Sequence, residues 1–253
     1  AGAKAAVSTM PAHKFFQRGD APLVDSPNGR MWWHSMPLPD GTRISGYHAD
    51  KAVQLKMWDA LELDDLTGKR VLDIGAADGF FSLAASFVGA ASVTSIGTTH
   101  WATWPHNITL AAQRWSAKLA IETGDFRTHA LPGPFDVILF LGVLYHVEDV
   151  FGCMRRLREL LAPGGLIVME TQMTSIASDL PIFECASDTY STTVHQGRQS
   201  LDGVGISNFL LPNDAAVRNL ADSFGFGCEP MDSARNVYSR ELTGRRIYRL
   251  ARR

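Results

Sequence analysis

The chain has 253 residues, 45% hydrophobic and 20% charged, which is enough apolar material for one large α/β domain with additions. A formal net charge of −2 argues against general attraction to nucleic acid. Cys153, Cys185 and Cys228 lie far apart with no C-x-x-C pair, which argues against a disulfide framework or a zinc site.

The opening "AGAKAAVSTM" is too poor in apolar residues for a signal peptide, and no apolar run is long enough to cross a bilayer. The expected compartment is therefore the cytoplasm, with no membrane partner. Residues 1–50 read as an N-terminal extension or cap, in which "MWWHSMPLPDG" brings Trp32, Trp33 and His34 together, and a helix follows towards "KMWDAL". From Lys69 onward strands and helices alternate. "RVLDIG" predicts a strand, "GFFSLAASFVG" a helix and "ASVTSIG" a second strand. A helix from Pro105 to Lys118, the strand "LAIETGD" and the strand "FDVILFLG" come next. "VEDVFGCMRRLRELLAPGG" is an amphipathic helix stopped by Pro163 and two glycines, before a fifth strand, "LIVMET". Short apolar strands separated by helices imply a doubly wound, mostly parallel α/β sheet. Residues 172–208 then lose all periodicity and read as a lid insertion. "LPNDAAVRNLADSFGFG" predicts a helix capped by Asn213 or Asp214, and "CEPMD" with "RRIYRLA" a closing antiparallel pair. The final arginines, Arg245, Arg246, Arg249, Arg252 and Arg253, read as a solvated edge strand and frayed tail.

In open parallel sheets ligands bind beyond the carboxyl ends of the strands, where the strand order reverses. The turn Gly75-Ala76-Ala77-Asp78-Gly79 is expected at that edge, with Asp73 ending the strand before it. Gly75, Ala77 and Gly79 would admit ligand atoms against backbone N–H groups, and Asp73 would attract a cation. The spacing lacks the G-x-G-x-x-G of a dinucleotide site, and an acid at Asp73 would repel a pyrophosphate. Asp125 and Phe126, after the third strand, could accept from an adenine amino group and cover the base. Gly142, Tyr145 and His146 follow the fourth strand at the same edge.

"VLDIGAADG", "GDF", "FDVILFLGVLYH" and "LRELLAPGGLIVMET" resemble the ordered motifs of class I S-adenosylmethionine-dependent methyltransferases. The resemblance implies a seven-stranded Rossmann-like domain over residues 51–253 and S-adenosyl-L-methionine as cofactor. "WWHSMPLPDG", "DLTGKRVLDIGAADGFFS", "GVLYH" and "NFLLPNDAAVRNLADSFGF" are similar to the family that includes the bacterial tRNA wobble-uridine carboxymethyltransferase. That likeness admits carboxy-S-adenosyl-L-methionine and a tRNA substrate as alternatives, although the long N-terminal extension of the tRNA enzyme is not expected here. The superfamily's ribose-binding acid at the end of the second strand falls near Gly97, where no carboxylate stands. Thr98, Thr99 or the His100 region would take over those contacts, unless the ribose faces solvent.

A sulfonium methyl needs an aligned acceptor, exclusion of water and, for a hydroxyl or ammonium, a base. His146 is the candidate base, with Tyr145 beside it; both could instead shelve the cofactor. Trp33, His34, Tyr190, His195 and Asn208 are candidate acceptor-side residues. No metal-ligand cluster is apparent. The expected function is methyl transfer to nitrogen or oxygen of a small-molecule acceptor; the alternatives are tRNA wobble-uridine modification and a catalytically silent cofactor-binding module.

Overall fold

The computed structural model describes residues 12–17, 21–46, 51–98, 104–185, 209–231 and 244–253. The N-terminal region contributes a short helix α1 (Ala12–Phe15) and three two-residue strands, β1 (Leu23–Val24), β2 (Met36–Pro37) and β3 (Arg43–Ile44). These strands form a small sheet in the order β1-β3-β2, ahead of helix α2 (Lys51–Leu61).

The main sheet contains β4 (Arg70–Ile74), β5 (Ser92–Gly97), β6 (Leu119–Thr123), β7 (Phe135–Leu141) and β8 (Leu161–Gln172). A hairpin-like pair of β9 (Phe183–Cys185) and β10 (Leu210–Pro212) stands apart from it. β11 (Phe226–Pro230) and β12 (Arg245–Arg252) complete seven strands in the order β11-β12-β8-β7-β4-β5-β6. β4 through β8 pair in parallel, and β12 is inserted antiparallel to both its neighbours. The sheet is the doubly wound, mostly parallel architecture expected from the alternating pattern, with the seven strands and Rossmann-like form that the resemblance implies.

Helices α3 (Phe80–Phe87), α4 (His106–Trp115), α5 (Val150–Leu160) and α6 (Asp214–Ser223) cover the sheet. Because side chains alternate along a strand, each central strand feeds two separate apolar layers. Val71, Val137, Leu139 and Val168 join the layer holding α3 and the N-terminal aromatics Phe15, Trp32 and Trp58. Leu72, Ile74, Ile138, Phe140, Ile167 and Met169 join the layer holding α5 and α6. The N-terminal segment thus packs beside the domain: Phe15 meets Phe80, Phe87 and Trp115 at ring separations of 5.1, 5.1 and 5.5 Å.

Asn213 is the cap of α6, its side chain accepting from the Ala216 N–H at 2.9 Å, while Asp214 lies in the first turn and accepts from the Tyr248 hydroxyl at 2.6 Å. α5 ends at Leu160, before Pro163, because Leu161 is already extended and pairs with Phe135. The largest departure is β12. It is an interior strand between β8 and β11, and its arginines are spent on the fold. Arg245 pairs with Glu170, Arg246 with Asp214 and Arg253 with Asp222. Arg249 reaches the Leu61 carbonyl (3.1 Å) and Glu62, and Arg252 the carbonyls of Arg158 and Leu161. From Arg245 to Arg252 a charge run that reads as solvated is instead a set of contacts to neighbouring elements, while Arg253 and its partner Asp222 stay exposed, at 64% and 58%.

Candidate active site

β4 has β5 on one side and β7 on the other, so the strand order reverses at its carboxyl end. A cavity of about 330 Å³ opens there. Its walls come from the loops after four parallel strands: Gly75 and Ala77 after β4, Gly97 and Thr98 in and after β5, Thr123–Arg127 after β6, and Gly142, Val143 and His146–Glu148 after β7. Trp104 and Phe209 close it from outside the sheet. No group of His, Cys, Asp and Glu suited to a metal ion occurs among the described residues.

The turn after β4 takes the shape its glycines allow. Gly75, Ala77 and Gly79 all have left-handed backbone, at φ 72°, 49° and 84°. The N–H groups of Gly75 and Ala76 donate to the Ile96 carbonyl, at 2.9 and 3.4 Å, which ties the turn to the end of β5. A Cβ on Gly75 would stand 2.8 Å from the Val143 side chain, so this glycine keeps the floor open between β4 and β7. Gly79 does not line the cavity as expected of a cofactor residue. A Cβ there would meet Ile108 at 2.5 Å, so it serves the approach of α3 to α4.

Asp73 is also placed differently from its expected ligand role. It shares the strand face of Val71, so it points into the α3 layer and is 2% exposed. There it accepts from the Ser82 hydroxyl at 2.6 Å, and Ser82 in turn contacts Ser95 Oγ at 2.8 Å. Burial pushes its carboxyl up to about 6 against the opposing Ser82 hydrogen bond and nearby His34.

At the end of β5 the missing acid has a steric explanation. A Cβ on Gly97 would lie 2.7 Å from the Trp104 indole, which occupies the space an acidic side chain would need. Trp104 is held there by its N–H, which donates to Thr123 Oγ1 at 3.2 Å. Thr98 stands in the cavity wall, and its buried Oγ1 has no hydrogen-bond partner among the described residues. Thr99 and His100 lie outside the described residues.

Asp125 and Phe126 both line the cavity after β6. Burial works to raise the Asp125 carboxyl, but Arg127 outweighs it and holds the group below the usual carboxylate range. Arg127 Nε donates to both carboxylate oxygens at 3.0 Å, Nη2 to Oδ2 at 2.6 Å, and the Arg127 backbone N–H to Oδ1 at 2.9 Å. Phe126 is buried against Phe140, with ring centroids 5.8 Å apart.

His146 ends a short 3-10 turn, Leu144–His146, and lines the cavity beyond β7. Tyr145 lies against it, with ring centroids 4.1 Å apart and planes tilted by 51°, but is not among the residues that line the cavity. Its phenol accepts from Arg245 Nη2 at 3.0 Å, and burial raises its pKa. Arg245 also binds both oxygens of Glu170, which is 1% exposed, so the carboxylate is structural. This cluster sits directly behind Gly142, where a Cβ would lie 3.3 Å from Arg245 Nη2 and 3.4 Å from the Tyr145 hydroxyl.

Trp33 and His34 do not line the cavity either; both bond to Asp78 on the far side of the turn. Tyr190, His195 and Asn208 lie outside the described residues. Glu184, from the start of the lid, is bound to Thr174. The residues that sequence reasoning missed are Trp104, Arg127, Arg245 and Asp78. The D-x-R spacing of Asp125 and Arg127 was a usable signal, whereas Arg245 reaches Glu170 and Tyr145 only through strand pairing.

A family profile described as "Methyltransferase domain" matches residues 30–209, well over half of the chain. The chain belongs to the methyltransferase-domain family. This methyltransferase is 30% identical over 122 residues to the tRNA U34 carboxymethyltransferase of Psychrobacter arcticus, covering 44% of this chain and 34% of that one. To the protein of the same name from Trichodesmium erythraeum it is 31% identical over 173 residues, covering 67% and 48% respectively. The matches thus span less than half the length of these relatives. Among solved structures, an S-adenosylmethionine-dependent methyltransferase from Mesorhizobium loti superposes with a TM-score of 0.55 at 19% identity, covering 78% of this chain and 98% of that one. The 1,6-didemethyltoxoflavin-N1-methyltransferase of Burkholderia thailandensis, solved with its acceptor and S-adenosylhomocysteine, gives 0.53 at 15% identity, covering 78% of each chain. At these identities the superpositions establish the shared fold.

Proposed function

We propose that this methyltransferase uses S-adenosyl-L-methionine to methylate a nitrogen or oxygen of a small-molecule acceptor. The observation that carries the reading is the buried Thr98 hydroxyl, without a partner among the described residues, in the same cavity as Asp125, Phe126 and the Gly75–Ala77 turn. A buried hydroxyl without a partner is costly, and a ribose hydroxyl would satisfy it. Asp125, already ionised and oriented by Arg127, is suited to accept from an exocyclic adenine amino group, and Phe126 to cover the base. The cavity volume falls within the range of small-molecule sites.

When bound, S-adenosyl-L-methionine supplies a methyl group already activated by its sulfonium leaving group. The protein must align an acceptor beyond Gly142, keep water out, and take up a proton where the acceptor carries one. His146, lining the cavity after β7 and braced by the Tyr145 ring, is the residue suited to hold that proton. The name of the B. thailandensis relative describes such a transfer to a small heterocycle. Mass spectrometry of ligand released from the purified protein tests the cofactor, and a screen with isotopically labelled methyl donor tests the acceptor. Failure to bind S-adenosylhomocysteine would refute the reading.

One observation favours a second reading, carboxymethyl transfer to a tRNA wobble uridine, as the curated relatives are named. Arg245 and Tyr145 stand just behind Gly142, where a carboxylate on the transferred carbon would meet a guanidinium. Against it, each of the five C-terminal arginines already has a protein partner, and the net charge is −2. RNA binding that weakens steeply with salt would support this second reading.

A further inference from the structure

Asp78 is an acid that neither the cavity nor the methyl-transfer reading uses. It is 1% exposed and lies between Ala77 and Gly79, two of the three left-handed residues of the turn. Its Oδ2 accepts from the backbone N–H of Trp33 at 2.7 Å and of His34 at 2.8 Å. Its Oδ1 lies 2.5 Å from His34 Nδ1. The carboxylate is therefore gripped on both oxygens by two consecutive residues of the N-terminal segment. Backbone bonds anchor Gly75, Ala76 and Gly79; at Asp78 the side chain makes the attachment, and it ties the turn to a segment 44 residues earlier in the chain.

That segment is fixed at further points, all near the same two helices. The His34 ring packs on Phe80 and Phe81, the first residues of α3, at 5.9 and 5.4 Å. The Asn107 side chain, in the first turn of α4, donates to the Met31 carbonyl and accepts from Asn28, both at 2.8 Å. The Trp115 indole N–H, at the end of α4, donates to the Pro37 carbonyl at 2.9 Å. The segment thus spans the outer side of α3 and α4, the helices that flank the turn. Ala77, immediately before Asp78, faces the cavity.

We propose that residues Trp33–His34 form a clasp that holds the ligand-facing turn in its binding shape, with Asp78 as the positioning residue, so that ligand binding and clasp closure favour each other. A non-glycine residue at φ 49° persists only where its surroundings fix it, and Asp78 is the side chain that transmits this fixing from outside the sheet. A ligand seated on Gly75 and Ala77 restricts the same turn from inside. Two restraints that favour the same shape of one turn are thermodynamically coupled, and the coupling is reciprocal. The inference rests on S-adenosylmethionine and its product binding over this turn.

The test is amide hydrogen exchange on the full chain with and without saturating S-adenosylhomocysteine, paired with calorimetric affinities of Asp78→Ala, Asp78→Asn and His34→Ala. Exchange at Trp33 and His34 should slow by about tenfold on binding, and Asp78→Ala should weaken affinity by a similar factor. Asp78→Asn, which keeps one acceptor oxygen, should recover part of that loss. If Asp78→Ala does not fold, His34→Ala keeps both backbone donors and should still weaken binding several-fold. Purely structural residues would lower thermal stability while leaving exchange at 33–34 indifferent to ligand. Protection at 75–77 without any at 33–34 would overturn the clasp and leave the cofactor assignment standing. Protection at neither would overturn the cofactor assignment and the clasp with it.

Discussion

Replacing Asp73 with Asn should stabilise this protein above neutral pH, although it removes a charged group next to the turn after β4. Asp73 is buried in the α3 layer, and its carboxyl is raised from 3.8 to about 6 because desolvation outweighs the Ser82 hydrogen bond. A folded-state pKa above the unfolded value means that the folded chain holds this proton more tightly. The stability Asp73 contributes is then fully present below pH 3.8 and is lost as pH rises through about 6. At about 1.4 kcal/mol per pH unit, that loss amounts to about 3 kcal/mol. Asn keeps an oxygen for Ser82 and removes the charge, but its amide needs an acceptor in a dry layer, which offsets about 1 kcal/mol or more. The expected gain at pH 7.5 is therefore about 1–2 kcal/mol, or a few degrees in melting temperature for a chain of this length. Urea titrations of both proteins between pH 4.5 and 8 measure it. The two stability curves should converge towards the acid end and separate as pH rises. Parallel curves, or a variant less stable at pH 7.5 than at pH 5 relative to the parent, would refute the burial argument.

Thr98→Val removes a buried hydroxyl with no partner among the described residues, so the free protein should keep or gain stability. Affinity for S-adenosylhomocysteine should meanwhile fall by about two- to tenfold, read by calorimetry. Gly97→Ala drives a methyl to 2.7 Å from the Trp104 indole. It should cost about 1–3 kcal/mol in chemical denaturation and weaken ligand binding as Trp104 is displaced. His146→Asn should lower turnover by about 100-fold with an acceptor that must lose a proton, while S-adenosylhomocysteine affinity stays within about threefold. Equal losses in turnover and affinity would count against a base at His146.

The sheet and most of the cavity at its carboxyl edge were legible in the sequence because both depend on short-range patterns. Apolar runs too short for helices, punctuated by Gly75, Gly97 and Gly142, mark strands and their carboxyl-end loops. Asp125, Phe126, Thr98 and His146 reach the cavity because each closely follows a parallel strand, and parallel strands end at one edge. Asp73 misled because a residue at the end of a strand faces the ligand or an apolar layer according to its place in the alternation. Tyr145 misled because only the antiparallel insertion of β12 brings Arg245 to its hydroxyl.

By itself, then, the sequence determined the architecture, the edge at which the cavity opens and the loops that line it, since local periodicity and turn chemistry suffice for these. The tertiary structure alone decided which partner each charged or aromatic side chain keeps. Trp104 fills the place of an absent acid, the C-terminal arginines staple the last strands, and Trp33 and His34 grip Asp78 across 44 or more residues of chain. Such pairings join residues remote in sequence, and the packing that creates them leaves no periodic trace along the chain.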